Sequence, residues 1–178
     1  MPAASPSGPT RRDPRLLWIV ALVLLAGRVA LGIFEERHPP EKPDLVSWVE
    51  PADAPEIARR TGKLILYDFT ADWCPPCQQM RKEVFAEQRS ADALTHLVVP
   101  VRVLDRQRED GRNSAIVDSL QRVHAVSAFP TLVIVDADGK SLGQLEGYPG
   151  VQGVLSWAGT TSMKGRTTTP KGVKLQFP

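Results

Sequence analysis

Cysteine is nearly absent from this chain. Its 178 residues include two, Cys74 and Cys77, and only three histidines. Two cysteines exclude a multi-disulfide scaffold and a four-cysteine metal site. His38, His96 and His124 lie too far apart to form the paired histidines of a common zinc site, so no metal is expected. A strong excess of one charge is also missing. Lys and Arg number 22 against 20 Asp and Glu, a formal net charge of +2. That is too little for a general polyanion binder, so no nucleic-acid partner is expected. No flavin or nicotinamide motif is present, and no bound cofactor is expected. The body has no internal repeat and no low-complexity stretch.

What is present suits one folded domain with appendages. An apolar fraction of 42% and a charged fraction of 24% exclude a wholly disordered or fibrous chain. The charge is unevenly spread. Residues 1–34 carry +3, residues 160–178 carry +4, and the rest carries −5. The body is mildly acidic and its two ends are basic.

Residues 1–15 begin with a Pro-, Ser- and Ala-rich stretch and end in Arg11, Arg12 and Arg15. A disordered cytoplasmic start is expected. Residues 16–34, LLWIVALVLLAGRVALGIF, are interrupted only by Arg28. As a helix they would span about 28 Å, close to the hydrocarbon thickness of a bilayer. Arg28 lies past the middle, where its stem can reach toward the far interface. Two readings fit: a retained signal anchor, or a cleaved signal peptide whose apolar region ends at Arg28. The lack of a clean A-x-A site favours the anchor. The arginines before the span then orient the C-terminal body outside the cytoplasm, in an oxidising compartment. For a bacterial protein this means a single-pass inner-membrane chain with its domain in the periplasm. Residues 35–44, EERHPPEKPD, form a semi-extended linker.

The domain is expected over residues 45–158, followed by a flexible basic tail, 159–178. Residues 45–49 read as an edge strand and 54–60 as a short helix. Residues 63–70, KLILYDFT, read as a buried central strand. A helix over 73–87 keeps Met80, Val84 and Phe85 on one stripe, and Ser90 caps another running to Leu97. Residues 98–104 form a second strand, 105–113 a loop and 114–123 a helix. Residues 131–136, TLVIVD, form a third strand. Asp138-Gly139 turns it back into residues 141–145. A last helix covers 150–158. The order β-α-β-α-β-α-β-β-α gives an α/β fold with a central mixed sheet flanked by helices.

The pair Cys74-Pro75-Pro76-Cys77 falls where the central strand meets its following helix. A helix N-terminus presents free N–H donors and about half a positive charge. It stabilises a thiolate, so Cys74 is expected to be the exposed nucleophile and Cys77 the more buried resolving thiol. Pro75 and Pro76 suit the first helical turn, and Cys77 keeps an N–H that can point back at the Cys74 sulfur. So tight a loop would gain little chain entropy as a merely structural disulfide.

The segment Asp68-Phe69-Thr70-Ala71-Asp72-Trp73-Cys74-Pro75-Pro76-Cys77 resembles the strand-to-active-site segment of the thioredoxin family. Phe129-Pro130-Thr131 is similar to that family's cis-proline loop, and residues 136–140 to its terminal hairpin turn. Ala71-Asp72-Trp73-Cys74 and Glu83-Val84-Phe85 resemble most the members like the C-terminal domain of the transmembrane reductase DsbD. The resemblance implies a thioredoxin-like fold and a protein-disulfide reductase working through a mixed disulfide. It implies a proton-relay role for Asp68, whose apolar neighbours suggest burial, and a cis bond between Phe129 and Pro130. Trp73, Pro75, Pro76, Phe129 and Pro130 would contact substrate. Partners would be protein disulfides or dithiols and a membrane electron donor of the DsbD or CcdA type. Arg81 departs from the pattern, because some DsbD-like domains carry a second carboxylate there; a cation would favour the thiolate instead. His124 is expected to be an ordinary helix-end histidine. An oxidase or isomerase, or a redox-inactive binding module, remain as alternative readings.

Overall fold

The computed structural model describes residues 14–37 and 43–168, with the side chains of residues 14, 16, 34–37, 167 and 168 outside the described set. The expectations for residues 1–13, 38–42 and 169–178 lie outside the described residues. The chain divides into two units, Met1–Glu41 and Lys42–Pro178. The first contributes helix α1 (Pro14–Arg37), whose described apolar side chains, Trp18 and Leu24 among them, are exposed. Among the described residues no helix is long and apolar enough to cross a membrane.

The second unit is built on a four-stranded sheet. Its strands are β1 (Leu64–Ala71), β2 (Val98–Asp105), β3 (Thr131–Val135) and β4 (Ser141–Glu146), ordered β2-β1-β3-β4. Strand β1 takes a central place because it is apolar on both faces, and seven of its eight residues are buried. It pairs in parallel with β2 and antiparallel with β3, and β3 pairs antiparallel with β4. The sheet is therefore mixed, as expected. The helices are α2 (Ala54–Thr61), α3 (Pro75–Met80), α4 (Gln88–Leu97), α5 (Gln107–Asp110), α6 (Ala115–Val123) and α7 (Val151–Thr168).

Alternation along β1 sends Leu64 and Leu66 into one core and Ile65, Tyr67 and Phe69 into the other. The first core holds Met80, Val84, Phe85, Leu94, Val98, Leu132 and Ile134, and the second holds Ala54, Ala58 and Val99, Val101 and Val103 of β2. Each fully buried large side chain, such as Phe69, Phe85 or Leu94, contributes about 1.5–3 kcal/mol. Asp68 shares the face of Leu64 and Leu66, and this puts a carboxyl group inside the first core.

Five local expectations are corrected. Residues 45–49 are not a strand. The Val49 N–H donates to the Pro100 carbonyl at 2.9 Å, but Pro100 has no N–H to return the bond, so no ladder grows. The helix expected over 73–87 is broken. After α3 comes a π-helical turn, Arg81–Phe85, closed by the Ala86 N–H on the Arg81 carbonyl at 2.8 Å. The wider turn lets the neighbours Val84 and Phe85 both point inward. Helix α4 then starts at Gln88 with Glu87 as its cap, and Ser90 is buried in the first turn. The loop 105–113 contains the short α5. Finally, residues 159–168 are not a loose tail: α7 runs on to Thr168, burying Thr161 and Ser162.

Candidate active site

Cys74 leaves β1 through a turn in which its N–H bonds to the Ala71 carbonyl at 3.2 Å. It is the N-cap of α3, in extended conformation, with prolines in the first turn after it. Those prolines lack N–H groups, so the first donor available to the cap is that of Cys77. The Cys77 N–H points at the Cys74 sulfur, 3.3 Å away. The two sulfurs are bonded, with S–S 2.12 Å and Cα–Cα 5.3 Å. Five predicted site residues, Trp73, Cys74, Pro75, Pro76 and Cys77, thus stand on one turn.

The expected exposure of Cys74 is corrected. In this disulfide form Cys74 is 2% exposed and Cys77 3%. Ala71 and Phe129 pack against the pair. The Phe129–Pro130 bond is cis. The Phe129 ring meets Trp73 edge-on, 6.1 Å between centroids. Trp73 remains partly open, with the Arg108 guanidinium 5.2 Å over its ring.

Asp68 lies deeper and is 1% exposed. Its register neighbours are Arg102 on β2 and Leu132 on β3. Burial pushes its pKa up to about 7, against the pull of the Arg102 charge and with a smaller push from Asp44. The Arg102 Nε stands 3.6 Å from Asp68 Oδ2, an ion pair too long for a hydrogen bond. A cavity of about 230 Å³ joins Asp68 to Cys77, with Thr70, Gln78, Arg81 and Arg102 also on its wall. That volume accommodates several waters.

Sequence reasoning missed three residues here: Asp44, Trp48 and Arg102. Arg102 donates through Nη1 to Asp44 and lies 4.1 Å from the centre of the Trp48 ring. Asp44 also accepts from Arg81 Nε and from the Trp48 indole N–H, each at 3.1 Å. Burial alone would raise the Asp44 pKa, but these donors outweigh it and the net shift is downward. The signal for Arg102 was visible: a cation inside the apolar strand VVPVRVLD has to find an acid. Arg81, expected to act directly on the thiolate, has its charge engaged by Asp44. His124 stays outside the site, 5.4 Å from the ring of Tyr67 and 5.9 Å from that of Phe69, where burial lowers its pKa.

Residues 51–158 match the family model of the thioredoxin-like domain. The chain belongs to that family. It is 32% identical over 104 residues to the thiol:disulfide interchange protein DsbD of Actinobacillus pleuropneumoniae serotype 5b (strain L20), a match covering 57% of this chain and 17% of that protein. It is 30% identical over 110 residues to the disulfide bond reductase DsbH of Chlamydia pneumoniae, covering 59% of this chain and 65% of that one. The chain thus spans about a sixth of that DsbD and just under two thirds of that DsbH. A solved DsbH oxidoreductase superimposes with a TM-score of 0.59 at 23% identity, covering 71% of this chain and 90% of that one. That likeness concerns the fold.

Proposed function

We propose that this chain is a thiol–disulfide oxidoreductase that reduces protein disulfides outside the cytoplasm. The observation that carries this reading is the cysteine pair at the start of α3, backed by a buried acid on the cavity behind Cys77. The Cys74 thiolate attacks one sulfur of a substrate disulfide. A Cys74–substrate bond forms, and the other substrate sulfur leaves as a thiolate and takes up a proton. Cys77 passes its proton through cavity water to Asp68, attacks the Cys74 sulfur and expels the second substrate thiolate. The substrate has gained two electrons, and the Cys74–Cys77 disulfide remains. Two electrons from a membrane dithiol of the DsbD or CcdA type restore the pair. A carboxyl group with pKa about 7 both accepts and returns a proton near neutral pH.

Trp73, Pro75, Pro76 and the Phe129–Pro130 loop form the surface that substrate meets. An extended substrate segment pairs with the backbone at Phe129. The names of the relatives, an interchange protein and a disulfide bond reductase, support the reducing direction. The test is Cys77→Ala. It should accumulate substrates bound through Cys74 that dithiothreitol releases; a variant that binds the same partners without a covalent link would refute the mechanism. A reduction potential near about −270 mV supports reduction, and one near about −120 mV would reverse the direction.

The same reading, from the sequence alone, makes residues 16–34 the anchor. It rests on residues 16–34, an apolar run with one charge, and on the arginines that precede it. The full chain should stay with the membrane through alkaline carbonate extraction; its release would refute the anchor.

A further inference from the structure

The neighbours of Asp68 are unevenly matched. Asp44 is well supplied with donors: Arg102 at one oxygen, Arg81 at the other, and the Trp48 indole. Asp68 is not. Its Oδ1 and the Arg102 Nε are both buried without a hydrogen-bond partner among the described residues, although they stand on facing side chains. A guanidinium free to turn would give a buried carboxylate two parallel bonds. Arg102 does not, because Asp44 holds its Nη1 and Trp48 lies against it.

We propose that Asp44, where the linker joins the domain, is a positioning residue: it holds the Arg102 guanidinium short of Asp68 and so keeps Asp68 able to exchange a proton with Cys77. This rests on the relay role proposed above. The other charged and titratable groups around Asp68 do not replace this control. Arg81 is tied to the same Asp44, and Asp72 on the cavity wall pairs with Arg106 at 3.3 Å. Strand β3 offers Leu132 opposite Asp68, and Cys77 is the proton's other terminus. Without Asp44, Arg102 closes on Asp68 and fixes it in the ionised form. Asp68 then takes a proton poorly from Cys77 and has none to return.

The experiment follows the Asp68 carboxyl carbon by NMR through a pH titration of the oxidised full chain in mild detergent, where no turnover is needed. Asp44→Asn should lower the Asp68 midpoint by about one to three pH units. Asp44→Glu, which keeps the charge and reaches Arg102, should hold it near the wild-type value and shows that the site still folds. Arg102→Met should raise it. In the Arg102→Met background, adding Asp44→Asn should move it little. A midpoint unmoved by Asp44→Asn, or moved equally with and without Arg102, would overturn the proposal. Trapping by Cys77→Ala is scored separately, so failure of the oxidoreductase reading is told apart from failure of the positioning role.

Discussion

Replacing Asp68 by Asn should stabilise the oxidised protein at pH 8 and change it little at pH 4. In the unfolded chain this carboxyl group titrates near 3.8, and in the folded domain near about 7. Between those values the folded state keeps a proton that the unfolded state has lost. Stability therefore falls as pH rises through that window, by about 1.4 kcal/mol for each pH unit. The window of roughly three units gives a total of about 4 kcal/mol. Below pH 3.8 the group costs nothing, and above about 7 the cost is complete and constant. Asn carries no proton, so the variant escapes this loss. Its amide leaves Arg102 bonded to Asp44, so the remaining offset is independent of pH. The assay is urea unfolding of the full chain in mild detergent, followed by tryptophan fluorescence at half-unit steps from pH 4 to 8.5. The stability gap between variant and wild type should open between pH 4 and 7 and then level off. Groups that titrate equally in both proteins cancel from this difference. A gap that is flat, or that closes as pH rises, would refute the reasoning: Asp68 would then ionise like a hydrated carboxyl group.

Three further outcomes follow from packing and charge. A Cβ at Gly143 would stand 2.9 Å from Thr161 Cγ2, so Gly143→Ala should cost about 1–3 kcal/mol by urea unfolding, and no loss would mean that α7 does not dock on β4. The Asp44 pKa is lowered, so its stabilisation is complete above 3.8 and is lost as pH falls further; Asp44→Asn should accordingly flatten the acid limb of a stability–pH curve, and an unchanged limb would refute the assignment. Phe129 covers a Cys74 that is only 2% exposed, so Phe129→Ala should speed reduction of the disulfide by a small thiol in stopped flow, and an unchanged rate would mean that the ring does not shield the sulfur.

Much of the site was legible because its signals are local. Two cysteines with two prolines between them, set where an apolar strand stops, announce a helix start. Asp68 was legible as the one acid in KLILYDFT. The partners of Asp68 were not legible, because they come from distant segments. Asp44 stood at the end of the expected linker, and Arg102, though marked as a cation within an apolar strand, carried no sign of which acid it meets. Only the parallel register of β1 and β2 brings Arg102 beside Asp68. The extension of α7 was hidden for a different reason. Residues 159–166 dock through small side chains such as Thr161 and Ser162, so they show little apolar periodicity. At Gly165 an added Cβ would come within 2.7 Å of Leu142 and 2.9 Å of Leu64. Close approach of that kind leaves no stripe of large apolar residues to read.

The charges around the cavity favour the proposed proton relay between Cys77 and Asp68. Arg81 and Arg102 supply two positive charges, and Asp44, held ionised by its donors, supplies one negative. With Asp68 protonated the set carries one positive charge, which a Cys77 thiolate on the same cavity wall would balance. With Asp68 ionised the set is neutral, and it suits a neutral Cys77 thiol. Moving the proton between the two therefore leaves the charge of the whole cavity unchanged and only shifts its position along the wall. A lone acid in an apolar core would have to create a charge against the full desolvation cost. Here the permanent charges are already in place, so moving the proton creates no new charge in the cavity. This ties Arg102 to the chemistry: it lies 3.6 Å from Asp68, so removing it should penalise the state with Asp68 ionised and Cys77 a neutral thiol more than the state with Asp68 protonated and Cys77 a thiolate.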